Sequence, residues 1–162
     1  EVMAHSYSSI FKLPCTALRF FTVYGPYGRP DMALFKFTKN IKENKKIDLF
    51  NNGNHFRDFT YIDDIVSGIV SIISKPSKKK IPFDVFNIGN GNPRKLKDYL
   101  SIIEKKLGKK AKIKNLPLQK GDIIKTHSDI ASLNNLTKYK PNTNIEKGIT
   151  KFIDWYLEYY KN

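Results

Sequence analysis

The chain has 162 residues, and 29 Lys plus Arg against 15 Asp plus Glu leave a formal charge of +14. At 40% hydrophobic and 13% aromatic it buries a core, or one lobe of a larger core, which excludes a wholly disordered chain. No apolar run reaches the roughly eighteen residues that cross a bilayer, so no membrane partner is expected.

The start, Glu1-Val2-Met3-Ala4-His5, has no basic stretch leading into an apolar one and no initiator Met. A secretory signal is therefore not expected, whereas a start inside a longer reading frame is. Cys15 is the single cysteine, and no Cys/His cluster suggests zinc, so a reducing, cytoplasmic setting is the expectation. The charge is concentrated, since residues 75–120 hold fourteen basic and three acidic side chains, +11 of the +14. Such a block is one form that a nucleic-acid footprint takes. Here, though, 25 of the 29 basic residues are Lys and only Arg19, Arg29, Arg57 and Arg94 offer the fork that base and phosphate recognition favours. Phe83, Phe86 and Tyr99 are too few for a stacking platform. The expectation is a solvated basic surface and no nucleic-acid partner.

Val2, Met3, Tyr7, Ile10 and Phe11 fall near helical spacing and Pro14 ends that helix. Thr16 to Tyr24 reads as one buried strand, punctuated by Gly25-Pro26. Met32 to Asn44 carries Leu34, Phe35, Phe37, Thr38 and Ile41 at helical spacing. Ile47 to Phe50 and the residues from Phe56 read as two short strands joined by the hairpin-type turn Asn51-Asn52-Gly53-Asn54. A helix follows from Tyr61, marked by Ile65, Ile69, Ile72 and Ile73, with Asp63 and Asp64 favouring its dipole. Pro76 to Pro82 is a Lys-rich loop, Phe83 to Ile88 a strand, and Lys97 to Leu107 a helix capped by Gly108. Ala111 to Lys114 is a short strand, Asp129 to Leu136 a short helix, and Ile145 to about Tyr160 a final helix. Strands alternating with helices make the fold class α/β, with one small antiparallel hairpin as an accessory and too few strands for a complete doubly wound sheet.

Three segments invite chemistry. Thr22-Val23-Tyr24-Gly25-Pro26-Tyr27-Gly28-Arg29-Pro30-Asp31 leaves a strand through a Gly/Pro loop, the place where open α/β sheets hold ligands. Arg29 there is either a fork for a carboxylate or phosphate or a salt-bridged surface residue. Gly25-x-x-Gly28 starts like a dinucleotide fingerprint, but Asp31 stands where the third Gly belongs. In Arg57-Asp58-Phe59-Thr60-Tyr61-Ile62-Asp63-Asp64, Arg57 reaches an anionic ligand with Asp58 holding its side chain, or the segment is a helix cap at Thr60 or Asp63 with a structural ion pair. Leu116-Pro117-Leu118-Gln119-Lys120-Gly121-Asp122 is a polar loop whose Gln119, Lys120 and Asp122 suit a base or ribose, or a plain connection. His5, His55 and His127 read as surface or packing residues, and Cys15 as an inert core thiol. No catalytic set is visible.

Taken in order, Ala17-Leu18-Arg19-Phe20-Phe21-Thr22-Val23-Tyr24-Gly25-Pro26, Arg57-Asp58-Phe59-Thr60-Tyr61-Ile62-Asp63-Asp64-Ile65, Phe86-Asn87-Ile88-Gly89-Asn90 and Leu116-Pro117-Leu118-Gln119-x-Gly121-Asp122 resemble the C-terminal part of nucleotide-sugar epimerases and dehydratases of the extended short-chain dehydrogenase/reductase family. Gly28-Arg29-Pro30-Asp31-Met32-Ala33 is narrower and resembles UDP-glucuronate 4-epimerases, with other epimerases or dehydratases, or a non-catalytic remnant, as alternatives. The resemblance implies the C-terminal part of a Rossmann-type fold. Residues 1–30 would be its last helix and strand, and 31–162 a small mixed substrate-binding lobe with one strand, about 83–88, returning to the Rossmann sheet.

The resemblance also implies roles. Thr22, Arg29, Arg57, Gln119 and Asp122 would hold a UDP-sugar, and Phe21 and Val23 would line the nicotinamide end of an NAD cleft. Lys120 and His127 depart from the residues usual at their positions. The family's Gly-rich loop and Tyr-x-x-x-Lys pair would precede Glu1, and no Tyr-x-x-x-Lys occurs within the chain. The chain by itself is therefore expected neither to retain NAD nor to epimerise, and a homodimer or a complementing N-terminal polypeptide is the implied partner, in a cell that makes surface polysaccharide precursors.

Overall fold

Apolar spacing near 3.6 residues and short β-branched or aromatic runs alternate along the chain, and the computed structural model, which describes residues 1–161, follows that alternation. In order come α1 (Val2–Phe11), β1 (Cys15–Phe20), β2 (Thr22–Tyr24), α2 (Ala33–Lys42), β3 (Lys46–Phe50), a 3-10 turn (Asn51–Gly53), β4 (Phe56–Arg57) and β5 (Phe59–Tyr61). Then follow α3 (Ile62–Ile73), β6 (Phe83–Ile88), β7 (Arg94–Lys95), α4 (Leu96–Leu107), β8 (Lys112–Leu116), α5 (Ala131–Thr137) and α6 (Ile145–Tyr159). Among the described residues no helix is long and apolar enough to cross a membrane.

Three pairs of strands are parallel: β1 with β6, β2 with β5, and β3 with β8. The expected single strand from Thr16 to Tyr24 is therefore two. Phe21 N still donates to Ile88 O (3.2 Å), but Thr22 N donates to Asp58 O (3.2 Å), so the chain changes neighbours at that step. Nor is its first half buried: Phe20 is 52% exposed and Cys15 half-buried, because β6 lies on one edge of β1 and no described strand lies on the other.

The expected hairpin does not form. Asn51 and Asn52 both take positive φ (50° each) in the 3-10 turn, which turns the chain aside instead of back on itself. Ile47 and Leu49 commit one face of β3 to the core while Lys46 and Asp48 stay exposed. The pairing partner is β8, delivered by α4, and β4 pairs antiparallel with β7. The main core lies among α2, α4, α6, β3 and β5, and a smaller one, of Ile65, Ile72, Ile88, Leu133 and Tyr139, lies among α3, α5 and β6. Helix α4 stops at Gly108 as its spacing predicts, in the left-handed region (φ 62°).

Candidate functional site

Two cavities share β2 as a common wall. The first, about 320 Å³, is lined by Thr22, Val23 and Tyr24, by Phe59 and Tyr99 across from them, and by Lys36, Asp48, Phe50, His55, Arg57 and Asp122. The second is an open cleft of about 490 Å³ along Phe20 to Arg29, closed by Met32 and Ile62. The second lies where parallel strands β2 and β5 end and their loops begin, the usual ligand face of such sheets, while the first runs along β2 to the start of β5 and the segment before it. Gly25 is needed at that exit: a Cβ there would run into the Ile62 side chain.

The wall of the first cavity is aromatic. Phe59 and Tyr99 stack with centroids 4.0 Å apart, and the Tyr24 ring meets both edge-on. Burial pushes the Tyr24 and Tyr99 hydroxyls well above the ordinary tyrosine range. Near neutral pH each is an O–H donor and neither serves as a phenolate base.

At the polar side, Arg57 Nη2 donates to Asp122 Oδ1 at 3.0 Å, and Arg57 Nη1 donates to the carbonyls of Phe56 (3.1 Å) and Ile124 (3.3 Å). His55 Nε2 sits 3.1 Å from Asp122 Oδ2. That contact is short but bent, and the nitrogen has no well-aligned hydrogen-bond acceptor among the described residues. Backbone bonds fix the two segments together, with Phe56 N donating to Ile124 O (2.8 Å) and Thr126 N to Phe56 O (3.1 Å). A guanidinium whose fork is only partly used, beside a carboxylate in a cavity also lined by aromatic rings, suits an anionic, ring-bearing ligand.

The residues singled out from sequence are thus divided. Thr22 and Val23 line both cavities, Arg57 and Asp122 the first, and Phe21 and Arg29 the second. Arg29 is largely exposed and its fork closes on Asp31 (Nε–Oδ1 3.0 Å, Nη2–Oδ2 2.6 Å). Those hydrogen bonds hold the Asp31 carboxyl below its ordinary range and raise Arg29. Gln119 is exposed and lines neither cavity; its carbonyl accepts from Asp122 N at 3.2 Å and so shapes the loop.

Two expectations change. Asp58 does not hold Arg57: alternation along the strand turns it to the opposite face, where it is fully buried among other donors. Thr60 and Asp63 make no capping hydrogen bond to α3, whose N-cap is Tyr61; Asp64 instead accepts from Asn142 N (3.2 Å) and Thr143 N (3.1 Å). His55 escaped the sequence reading for want of a nearby motif partner. The signal available was its spacing from Arg57, since residues two apart in an extended segment share a face.

Residues 1–89, more than half of the chain, match the NAD dependent epimerase/dehydratase family. The chain belongs to that family. It is 48% identical to the protein CapI of Staphylococcus aureus and 41% identical to a probable UDP-glucuronate 4-epimerase of Rhizobium meliloti, in each case over 99% of this chain and 52% of the relative. Among solved structures, UDP-glucuronic acid 4-epimerase from Bacillus cereus, in complex with UDP-glucuronic acid and NAD, superposes with a TM-score of 0.89 at 36% identity, over 98% of this chain and 50% of that one. The chain therefore spans about half the length of the relatives it matches, and its α/β fold is that of part of a Rossmann-type extended short-chain dehydrogenase.

Proposed function

We propose that this chain is the nucleotide-sugar-binding portion of a UDP-glucuronate 4-epimerase, acting in the cytoplasm on UDP-glucuronate and UDP-galacturonate for surface polysaccharide precursors. The observation that carries the reading is the Arg57–Asp122 pair beside the stacked Phe59 and Tyr99. Arg57 meets the diphosphate and Asp122 the ribose hydroxyls, while Thr22, on the wall shared by both cavities, hydrogen-bonds the sugar where it passes between them. Arg29 serves the anionic sugar from the rim by exchanging Asp31 for the ligand carboxylate, and Gln119 supports the nucleotide end through its loop.

The residues of the open cleft fit one end of NAD. Phe21 and Val23, both half-buried, give the apolar wall that a flat nicotinamide ring packs against. The chemistry that NAD supplies in such an enzyme is reversible hydride acceptance. These 162 residues contain no Tyr-x-x-x-Lys pair, and the buried phenols of Tyr24 and Tyr99 are not substitutes for it. Proton removal and tight cofactor retention, on this reading, belong to residues outside this sequence, in the same chain or in a complementing polypeptide. In this reading residues 1–30 finish the cofactor domain, and 31–162 form the sugar-nucleotide lobe with β6 returning beside β1.

Isothermal titration calorimetry of the chain with UDP and UDP-glucuronate tests the reading. Saturable heat that disappears in Arg57→Ala is the expected result; a flat trace at millimolar ligand would remove the proposal.

A further inference from the structure

His55 and Arg57 leave the same face of one extended segment and meet the two oxygens of a single carboxylate. Arg57 Nη2 holds Oδ1 of Asp122 at 3.0 Å, and His55 Nε2 lies 3.1 Å from Oδ2. A carboxylate with one partner still swivels, whereas one bonded at both oxygens has its plane set, and the His55 contact is close enough to become that second bond once it aligns. Each oxygen keeps a further lone pair, because an ionised carboxylate offers about four acceptor positions. Two acceptor oxygens side by side, on a residue that lines the cavity, match a pair of adjacent hydroxyls.

His55 is buried, at 3% exposure, and its Nε2, 3.1 Å from Asp122 Oδ2, has no aligned hydrogen-bond partner among the described residues. We propose that His55 is a positioning residue that sets the Asp122 carboxylate to read the 2′,3′-diol of a ribonucleoside diphosphate. This rests on the nucleotide reading proposed above. The bent geometry fits the role, since polar contacts in ligand-free sites are often misaligned and tighten once the ligand pulls its partner into line. If His55 only filled space, an apolar side chain of similar volume would serve equally well.

The test compares UDP with 2′-deoxy-UDP by calorimetry on the whole chain. Wild type prefers UDP. His55→Leu weakens UDP by about tenfold, the loss of one charge-assisted hydrogen bond, and leaves 2′-deoxy-UDP almost unchanged. His55→Gln, which keeps an N–H donor, restores most of the preference. A leucine variant that still discriminates overturns the inference, and so does a wild type that binds the two ligands equally, because Asp122 then does not read the diol. Binding of neither ligand by wild type defeats the nucleotide reading itself, and the role of His55 falls with it. Should the leucine variant not fold, the wild-type chain decides: the His55 ring nitrogen resonances shift with UDP and stay in place with inorganic pyrophosphate, which carries no ribose, and unmoved signals in both cases overturn the inference.

Discussion

The Asp58 carboxylate is fully buried and accepts four hydrogen bonds, from Asn90 N (3.0 Å), Gly91 N (3.0 Å), Ser128 N (2.8 Å) and Ser128 Oγ (2.6 Å). It thereby ties the start of β5 to the loop after β6 and to the segment before α5. Replacement by Ala leaves those donors without acceptors in a place water does not reach, so Asp58→Ala destabilises by about 3 kcal/mol or more, measured by urea unfolding. Asp58→Asn keeps one acceptor oxygen and costs less. A loss below about 1 kcal/mol for the alanine variant would mean that the donors find other acceptors. Asp58 follows Arg57 directly in sequence yet faces away from it, because strand residues alternate. Arg57 and Asp122 were legible singly, as a fork beside a strand end and a carboxylate in a polar loop. Their pairing was not, since 65 residues separate them and only the fold brings them together. His55 was not legible at all without its partner.

Helices α1, α2, α3, α4 and α6 lie close to where apolar spacing puts them, because that signal is local and a helix satisfies its own backbone. Strands were found but not their partners. Asn51-Asn52-Gly53-Asn54 resembles a hairpin turn, yet β3 pairs with β8 more than sixty residues away, and a choice made by distant packing leaves no mark in a four-residue window. The edge strand β8 carries Lys112 and Lys114, both exposed, which makes part of the basic block a guard against pairing with other chains. Between elements, the closest fit is at Gly148 of α6, where an added Cβ would collide with the Tyr24 hydroxyl and ring. Ala in place of Gly gains up to about 1 kcal/mol of helix propensity, while overpacking costs about 1–3 kcal/mol. Tyr24 cannot step aside, being held edge-on by Phe59, Tyr61 and Tyr99. Gly148→Ala is therefore net destabilising, and a raised midpoint in thermal unfolding would show that the ring yields.

For the molecule as a whole, the apolar surface is distributed in a telling way. Helix α1 exposes Met3, Tyr7 and Ile10 at i, i+4 and i+7, and α3 exposes Val66, Val70 and Ile73 at the same spacing. Helix α1 packs on β1 and β6 with its other side, and α3 on α5, β2 and β5. Between these helices in the sequence lies β1, whose second edge has no partner among the described strands. Helical stripes of that kind on a single globular unit mark faces that pack on something, and a parallel strand with an open edge in an α/β sheet asks for further strands beside it. The relatives, twice as long as this chain, contain a half of matching size. A complementing polypeptide, where one supplies the missing groups, would correspond to that half. Co-expressed with the remaining half of the Staphylococcus aureus relative, this chain co-purifies as a one-to-one complex. Val70→Asp prevents the complex but leaves the isolated chain as stable as before, within about 0.5 kcal/mol, since a 62% exposed side chain contributes little to its own fold. Sedimentation of the mixture separates the outcomes. Two independent species would remove the complementation proposal, and a dimer of this chain alone that Val70→Asp dissolves would assign the α3 stripe to self-association instead.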